Sequence, residues 1–276
     1  MVGDIVRWGM RVHPIVSAKR APSLAALPGV WNMDGYEPTM SFESAESYDR
    51  LHKRGDEAAT VAFLERAARG GPALELAIGT GRIALPLSAR GVRVDGIDFS
   101  PAMVAKLRAK PGGDRISVTM GDFADVAVSG VYPLIYIVFN TLFNLLTQED
   151  QVRCFQNVAS HLTTDGVFVV EGGLPTEFCA LRNSQYVAVE GLGIGFVALD
   201  VARYDPVTQV LEEVHLNLSS GGTNLAPIVT RYAWPSELDL MARLAGLRLI
   251  ERWASWTRDA LGPSSRNCIS VYGFGA

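Results

Sequence analysis

The stretch PALELAIGTGRIALPLSARG, residues 72–91, decides the fold. It begins as a short apolar run, passes through Gly79-Thr80-Gly81 and continues with apolar residues at helical spacing. Glycines at such a turn let the backbone pass close to a bound ligand, because a Cβ atom would occupy that space. Taken alone, Gly79-x-Gly81-x-x-Ala84 matches the nucleotide-binding fingerprint in its alanine-ended form. This match is weak, because it fits an NAD enzyme as well as other proteins that bind a ligand at a strand–turn–helix site.

Strands and helices alternate on the C-terminal side of this stretch. Helices are predicted to begin near Arg82, Ser100 and Thr147, and Pro101 after Ser100 is typical of a first helical position. This alternation predicts a parallel sheet built from βαβ units. The predicted strands are PALELAI (72–78), VRVDGID (92–98), RISVTMG (115–121), PLIYIVFN (133–140) and GVFVVEGG (166–173).

Three acidic residues lie near the ends of these strands. Glu75 is near the end of the first strand, where a carboxylate repels a dinucleotide pyrophosphate and attracts a cationic ligand. Asp98 closes the second strand, 19 residues after Gly79, where a carboxylate accepts two ribose hydroxyls. Asp122 follows the third strand beside Phe123 and offers an acceptor to an adenine amino group. Together they favour an adenosyl-bearing cation over NAD.

From about residue 45 to residue 172 the chain resembles the class I, Rossmann-like S-adenosylmethionine-dependent methyltransferases. The matching segments are ELAIGTG, GIDFSPAM and MGDF, and FNTLFNL takes the position that faces the methionine moiety. The resemblance implies S-adenosyl-L-methionine as cofactor and S-adenosyl-L-homocysteine as product. It implies a cofactor-binding set of Glu75, Ala77, Gly79, Gly81, Asp98, Phe99, Met103, Asp122, Phe123, Phe139, Asn140 and Tyr48.

The same resemblance gives several members of this set a role. It implies that Asp98 holds the ribose and that Phe139 or Asn140 lies near the methionine amino group. Ala77 stands where many relatives have a glycine, and we interpret it as tolerated variation. Tyr48, in ESYDRLH, resembles the N-terminal lid of small-molecule members. The remaining implied roles place Gly79 and Gly81 beside the cofactor, Phe99 and Met103 near the adenine, and Asp122 and Phe123 at its edge.

The fold class that follows is α/β: a Rossmann-like, doubly wound, mostly parallel seven-stranded sheet with one antiparallel strand near its edge. After residue 185, strand-like stretches near 193–204, 209–219 and 226–233 predict an antiparallel meander. A helix from Ser236 that stops at Gly246 follows. The meander and this helix resemble the acceptor-covering insertion of sugar N-methyltransferases. The predicted divisions are a helical extension and lid (1–70), the cofactor-binding core (71–184), the meander (185–234) and a C-terminal helix with two closing strands (235–276).

Composition and the spacing of cysteines and histidines disfavour several other classes. With 25 basic against 29 acidic side chains and no basic stripe, a nucleic-acid partner is disfavoured. Three scattered cysteines and four separated histidines predict neither disulfides nor a metal site, so we expect a reducing cytoplasm. No signal peptide or membrane span is predicted. The expected partner is a small-molecule substrate, and a homo-oligomer stays open.

Two residues are candidates for acid–base chemistry. Glu171 ends the fifth strand, where an open α/β sheet exposes side chains to its crevice, although a surface carboxylate at a strand end is an equal alternative. His215 lies in the meander, where a half-exposed sheet histidine is the simpler interpretation. A base is needed only when the acceptor holds its proton at neutral pH.

The predicted activity is methyl transfer to a small, largely apolar metabolite of secondary-metabolism type, by in-line displacement. Nitrogen, oxygen and carbon all stay open as the acceptor atom; methylation of a prenyl- or terpenoid-like alkene would use Glu171 as base. The alternative is a SAM-binding sensor or scaffold without turnover. A nucleic-acid methyltransferase is disfavoured, because FNTL replaces the [N/D]PP[Y/F/W] box after strand four and no cysteine follows proline.

Overall fold

The structure of the chain is a computed structural model that describes residues 48–49, 54–179 and 184–275. All of them lie in the unit Pro38–Ala276, one of two into which the chain divides. The first unit, Met1–Glu37, lies outside the described residues. The predictions for the N-terminal extension therefore fall outside them too, apart from Tyr48 and the helix that ends this region.

Six helices and eleven strands make up the described residues, together with two short 3₁₀ turns, Gly113–Arg115 and Thr141–Asn144. None of these helices has the length and apolar character needed to cross a membrane. The helices are α1 (Glu57–Ala68), α2 (Ala84–Ala89), α3 (Pro101–Ala109), α4 (Gln148–His161), α5 (Thr176–Cys179) and α6 (Pro235–Leu244). The strands are β1 (Ala73–Leu76), β2 (Val94–Asp98), β3 (Ser117–Met120), β4 (Tyr132–Ile137), β5 (Leu162–Gly173), β6 (Gln185–Gly193), β7 (Phe196–Asp205), β8 (Val210–Ser219), β9 (Gly222–Arg231), β10 (Leu247–Trp253) and β11 (Asn267–Phe274).

Seven strands form the main sheet in the order β10-β11-β5-β4-β1-β2-β3. The pairs among β1 to β5 are parallel, whereas β11 is antiparallel to both of its neighbours. The predicted fold class, including the antiparallel strand near the edge, is confirmed. The order reverses between β4 and β1, so the helices leave these two strands toward opposite faces. A crevice opens there at the carboxyl ends of the strands, the place where open α/β sheets bind ligands.

The core lies on both faces of this sheet. All four residues of β1 are buried, as a central parallel strand requires. One cluster packs α4 and α6 against the sheet around Phe155 and Phe168, whose rings meet edge to face with centroids 5.2 Å apart. The other packs α1 and α2 around Leu64 and Leu87. The sheet is thus held rigidly from both sides, and its strand ends form a fixed platform.

The predicted helix boundaries have identifiable causes. Ser100 is extended, and its hydroxyl accepts a hydrogen bond from the amide of Met103, while Pro101 opens α3. The Thr147 hydroxyl caps α4 by accepting from the Asp150 amide at 3.1 Å. Gly246, with φ of +78°, follows the end of α6 in the left-handed conformation that glycine tolerates best. These three boundary predictions are confirmed.

The second sheet is a four-stranded antiparallel meander, β6-β7-β8-β9, with one strand more than the sequence predicts. The missing strand was β6. Its register shifts between Val189 and Gly191, so a bulge breaks the alternation of side chains, and most of its residues are exposed. Without regular apolar-in, polar-out alternation, the sequence gives little sign of a strand there.

Gly96 tests how tightly the platform is packed. It pairs with Glu75 in the register of β1 and β2, and a Cβ at this position would lie 2.4 Å from Cδ1 and 2.8 Å from Cβ of Ile78. Because the Ile78 Cβ cannot move away by a simple rotation, Gly96→Ala should lower the free energy of unfolding by about 1–3 kcal/mol, measured by urea denaturation. Gly262→Ala is the matched control, since nothing lies within 4 Å of its added carbon. Equal unfolding midpoints for the two variants would contradict the packing.

Candidate active site

Asp98 joins the glycine-rich turn to the start of α3. One oxygen of its buried carboxylate accepts a hydrogen bond from the Gly79 amide at 2.7 Å, and the other accepts from the Ser100 amide at 2.8 Å. Gly79 and Gly81 have φ of +56° and +77°, which side chains rarely adopt. Each carboxylate oxygen has a second lone pair. Asp98 can therefore shape the turn and still accept hydrogen bonds from a ligand.

Glu75 is a buried carboxyl group that faces the same turn. It accepts a hydrogen bond from the Tyr136 hydroxyl at 2.9 Å, and only 3% of the residue is exposed. Burial raises the pKa of Glu75 from its usual 4.5 to about 8, against the opposing effects of the Tyr136 hydrogen bond and the Arg82 charge. Burial also raises the pKa of the neighbouring Asp98. A cation that approaches these carboxyls would favour their ionised forms.

A small pocket opens beside these carboxyls, between the glycine-rich turn and the segment that follows β4. Tyr48 belongs to its lining, and burial raises the pKa of this phenol to about 12, so it is a neutral hydrogen-bonding group at physiological pH. Ala77 also belongs to the lining and adopts φ of +54°. The residues that line the pocket are Tyr48, Glu75, Ala77, Ile78, Gly79, Thr80, Arg82, Ile83, Val138, Phe139 and Thr141.

Asp49, which the sequence did not single out, fastens the segment around Tyr48 to the glycine-rich turn. Its carboxylate accepts a hydrogen bond from the Thr80 hydroxyl at 2.5 Å and pairs with the Lys110 ammonium at 2.6 Å. The same ammonium donates to the Thr80 carbonyl at 2.8 Å. Burial opposes ionisation of Asp49, but the Lys110 and Thr80 hydrogen bonds outweigh it and lower the pKa. The sequence signal for Asp49 was its position directly after Tyr48, the predicted lid tyrosine.

The segment after β4 is fastened to the end of β5. Phe139 and Asn140 both adopt the left-handed conformation, with φ of 63° and 61°. The Phe139 amide donates to Glu171 at 2.7 Å, and the Asn140 side-chain oxygen accepts from the Gly173 amide at 2.5 Å. Two non-glycine residues in this conformation are costly unless their surroundings hold them. These two hydrogen bonds supply that restraint.

Two arginines, also missed from the sequence, stand over the Phe139 ring. The guanidinium carbon of Arg82 lies 4.9 Å from the ring centroid and that of Arg54 lies 5.3 Å from it. Arg54 also pairs with Glu171 at 2.8 Å, and Arg82 pairs with Glu57 at 3.3 Å. No short sequence motif identifies these arginines, because their partners come from distant parts of the chain.

Five residues of the predicted cofactor set line the pocket, and the Asp98 carboxylate accepts from the Gly79 amide; the five are Tyr48, Glu75, Ala77, Gly79 and Phe139. Phe123 is buried in a core cluster and does not belong to the lining of this pocket, and Asp122 is exposed and accepts from the Ala124 amide at 2.8 Å. Met103 is buried beneath Gly79, whereas Phe99 is 39% exposed. Of the two predicted acid–base residues, Glu171 lies beside Phe139 and His215 lies in the meander.

Comparisons with known proteins agree with this geometry. Residues 73–166 match the family model described as a methyltransferase domain. The structure of the CcbJ methyltransferase from Streptomyces caelestis is 36% identical, with a TM-score of 0.82 over 87% of this chain and 100% of that one. The SAM-bound structure of CalS10, an amino pentose methyltransferase from Micromonospora echinaspora, is 24% identical, with a TM-score of 0.61 over 82% of this chain and 94% of that one. At that identity it shows a shared fold.

A curated relative is dTDP-3-amino-3,6-dideoxy-alpha-D-glucopyranose N,N-dimethyltransferase from Streptomyces fradiae. It is 29% identical over 144 residues, which are 50% of this chain and 56% of that protein. The match thus spans little more than half the length of this relative.

The pKa of Glu75 predicts how stability depends on pH. The Glu75 carboxyl ionises near pH 4.5 in the unfolded chain but only near pH 8 in the folded chain. As the pH rises through this window the unfolded chain loses the proton first, so the free energy of unfolding falls. Glu75→Gln, which keeps an acceptor for Tyr136, should therefore gain about 3–4 kcal/mol relative to wild type between pH 5 and pH 8.5. Urea unfolding curves measured across this range test it. A difference between the two proteins that stays constant with pH would show that Glu75 ionises normally.

Proposed function

Because this chain belongs to the class I S-adenosylmethionine-dependent methyltransferases, we propose that it methylates an amine nitrogen of a sugar-like natural product. Membership confirms the resemblance found in the sequence and makes S-adenosylmethionine the cofactor. When bound, this cofactor supplies an electrophilic methyl group on a sulfonium that leaves as a neutral thioether. The main observation in favour of an amine acceptor is that both carboxylate oxygens of Glu171 already have partners, Arg54 and the Phe139 amide.

The residues of the crevice fit such a cofactor. A glycine-rich turn with two positive φ angles leaves space beside the backbone, and the carboxyls of Glu75 and Asp98 lie next to it. Carboxyls attract a ligand that carries an ammonium and a sulfonium. We infer that Asp98 holds the ribose hydroxyls and that Glu75 favours the positive charge. Tyr48 and Phe139 would then enclose the site and exclude water.

Glu171 bears on the choice of acceptor atom. A carbon or hydroxyl acceptor needs a group that removes a proton. Of the two predicted candidates, His215 lies in the meander, outside the pocket lining, and Glu171 has partners for both oxygens: one pairs with Arg54 at 2.8 Å and the other accepts the Phe139 amide at 2.7 Å. Both carboxylate oxygens of Glu171 are therefore already engaged by groups of this chain, which leaves the carboxylate poorly placed to take a proton from an acceptor. Its role here is to position the Phe139 segment.

An amine acceptor needs no such base. Its neutral form presents a lone pair to the methyl carbon, and the proton of the product ammonium is lost afterwards to water. The chain's task is then alignment and exclusion of water. The curated relative from Streptomyces fradiae is named for dimethylation of the amine of an amino sugar, which supports the same class of acceptor here. A sensor or scaffold without turnover finds no support in these relatives.

Asp98→Asn tests the cofactor site. An amide has one acceptor oxygen where the carboxylate has two, so it cannot accept from Gly79, Ser100 and a ribose together. We expect the affinity for S-adenosylhomocysteine to fall at least about 10-fold, equivalent to about 1.4 kcal/mol, in calorimetric titration. Asp95→Asn is the control on the same strand, because Asp95 bonds to Tyr132 instead of to the turn. Unchanged affinity in both variants would remove Asp98 from the proposed site.

The acceptor is tested with methyl-labelled cofactor. Purified protein is incubated with it and with nucleotide-linked or free amino sugars, and the product is located by mass spectrometry and NMR. We expect the label on nitrogen. We also expect Glu171→Gln to keep its turnover number while its KM changes, because the carboxylate positions the Phe139 segment. A label on carbon or oxygen, or a turnover number that falls about 100-fold or more in Glu171→Gln with a rising pH profile, would assign the base role that we reject. Binding without transfer to any acceptor would favour the sensor.

A further inference from the structure

A second cluster of polar side chains lies on one face of the meander. Asp200 of β7 and His215 of β8 are direct partners in the antiparallel register. Glu190 lies in β6 at the bulge between Val189 and Gly191, next to the position where Ala188 pairs with Asp200. Three neighbouring strands therefore each contribute one side chain to this cluster. It shares no residue with the pocket beside the glycine-rich turn.

The potential ligand atoms of Glu190, Asp200 and His215 all lie within 4.8 Å of one another. His215 Nδ1 is 3.5 Å from Glu190 Oε2 and 4.0 Å from Asp200 Oδ1. The second of these separations is too long for a hydrogen bond. Two ligands of one tetrahedral zinc ion lie about 3.3 Å apart, because each is about 2.0–2.1 Å from the metal. The separation of 3.5 Å between His215 and Glu190 is close to this value, and the separation of 4.0 Å between His215 and Asp200 is longer.

The hydrogen bonding of Asp200 is a second, independent indication of a ligand site. Only 7% of the residue is exposed, and its Oδ1 atom, the one directed at His215, has no hydrogen-bond partner among the described residues. A buried acceptor without a partner is costly. Its other oxygen accepts from the Tyr186 hydroxyl at 2.7 Å. Carboxylates that bind metals are commonly held in this way by an outer hydrogen bond.

We propose that Glu190, Asp200 and His215 bind one divalent transition-metal ion of the Zn²⁺ class. One imidazole nitrogen and two carboxylate oxygens are ligands that this class accepts.

The exposure of the cluster suits an ion that enters from solvent. Half of the Glu190 side chain and about a third of the His215 side chain are exposed, whereas Asp200 is buried. Three protein ligands leave a further coordination position for water or for an oxygen or nitrogen of another molecule. A bound ion would link β6, β7 and β8 and so would hold the meander together. The linear sequence gives no sign of this site, because its ligands meet only through strand register.

Metal titration tests the proposal without using activity. Full-length protein is freed of metal with a chelator and titrated with Zn²⁺ by calorimetry, and with Co²⁺ by visible absorption. We expect one ion per chain and the absorption bands of low-coordinate Co²⁺. Asp200→Asn and His215→Gln should each weaken binding by more than about 10-fold, because each removes a ligand of the ion.

Glu212→Gln is the matched control, because Glu212 lies on the same strand as His215 and pairs with Arg203 instead. It should bind Zn²⁺ like wild type. Far-UV circular dichroism of each variant distinguishes lost ligands from a lost fold, and a variant that unfolds is replaced by Glu190→Gln, whose side chain is exposed. Absence of saturable binding in wild type, or equal binding in all folded variants, would overturn the proposal. Either outcome would leave the proposed methyl transfer untouched.

Discussion

The hydrogen bond between the Gly79 amide and the Asp98 carboxylate is the constraint on which the rest of the site depends. It joins the carboxyl ends of two adjacent parallel strands and fixes a turn whose glycines adopt positive φ angles. Since the Ser100 amide donates to the same carboxylate, the start of the next helix is fixed too. One side chain thus holds three backbone segments around the space in which a ligand would lie. A rigid, doubly covered sheet makes this arrangement precise.

Three buried carboxyls lie around this space, those of Glu75, Asp98 and Glu171. Each has a different kind of partner, and the partner indicates what each carboxyl does. Glu171 faces the guanidinium of Arg54, so its charge is already balanced. Glu75 has a neutral phenol as its hydrogen-bond partner, and burial leaves its carboxyl poised to ionise when positive charge arrives. Asp98 is held by two amides, which orient it without neutralising it. A cation is therefore favoured near Glu75 and Asp98, whereas Glu171 contributes structure.

How much the sequence predicts depends on how far apart the cooperating residues lie in the chain. Local patterns predict the turn at Gly79, the position of Asp98 at the end of a strand and the starts of the helices. These predictions of fold are confirmed. Asp49, Arg54 and Arg82 act through partners distant in sequence, so no spacing identifies them. Phe123 follows a strand as expected and is buried in a core cluster, and its place beside the adenine stays a prediction. The fourth meander strand is hidden by its bulge.

Backbone conformation explains why the segments around the pocket are so heavily cross-linked. Ala77, Phe139 and Asn140 all adopt the left-handed conformation, which costs about 1–2 kcal/mol for residues such as Ala77 and Phe139 and less for an asparagine. Ala77 occupies the place where a glycine would remove that cost. Such a backbone persists only where its surroundings determine it, which the bonds from Asp98, Glu171 and Asn140 do here. Loss of one of these bonds would release strain as well as contact, so the cross-links hold the pocket open in a shape that the backbone alone would not keep.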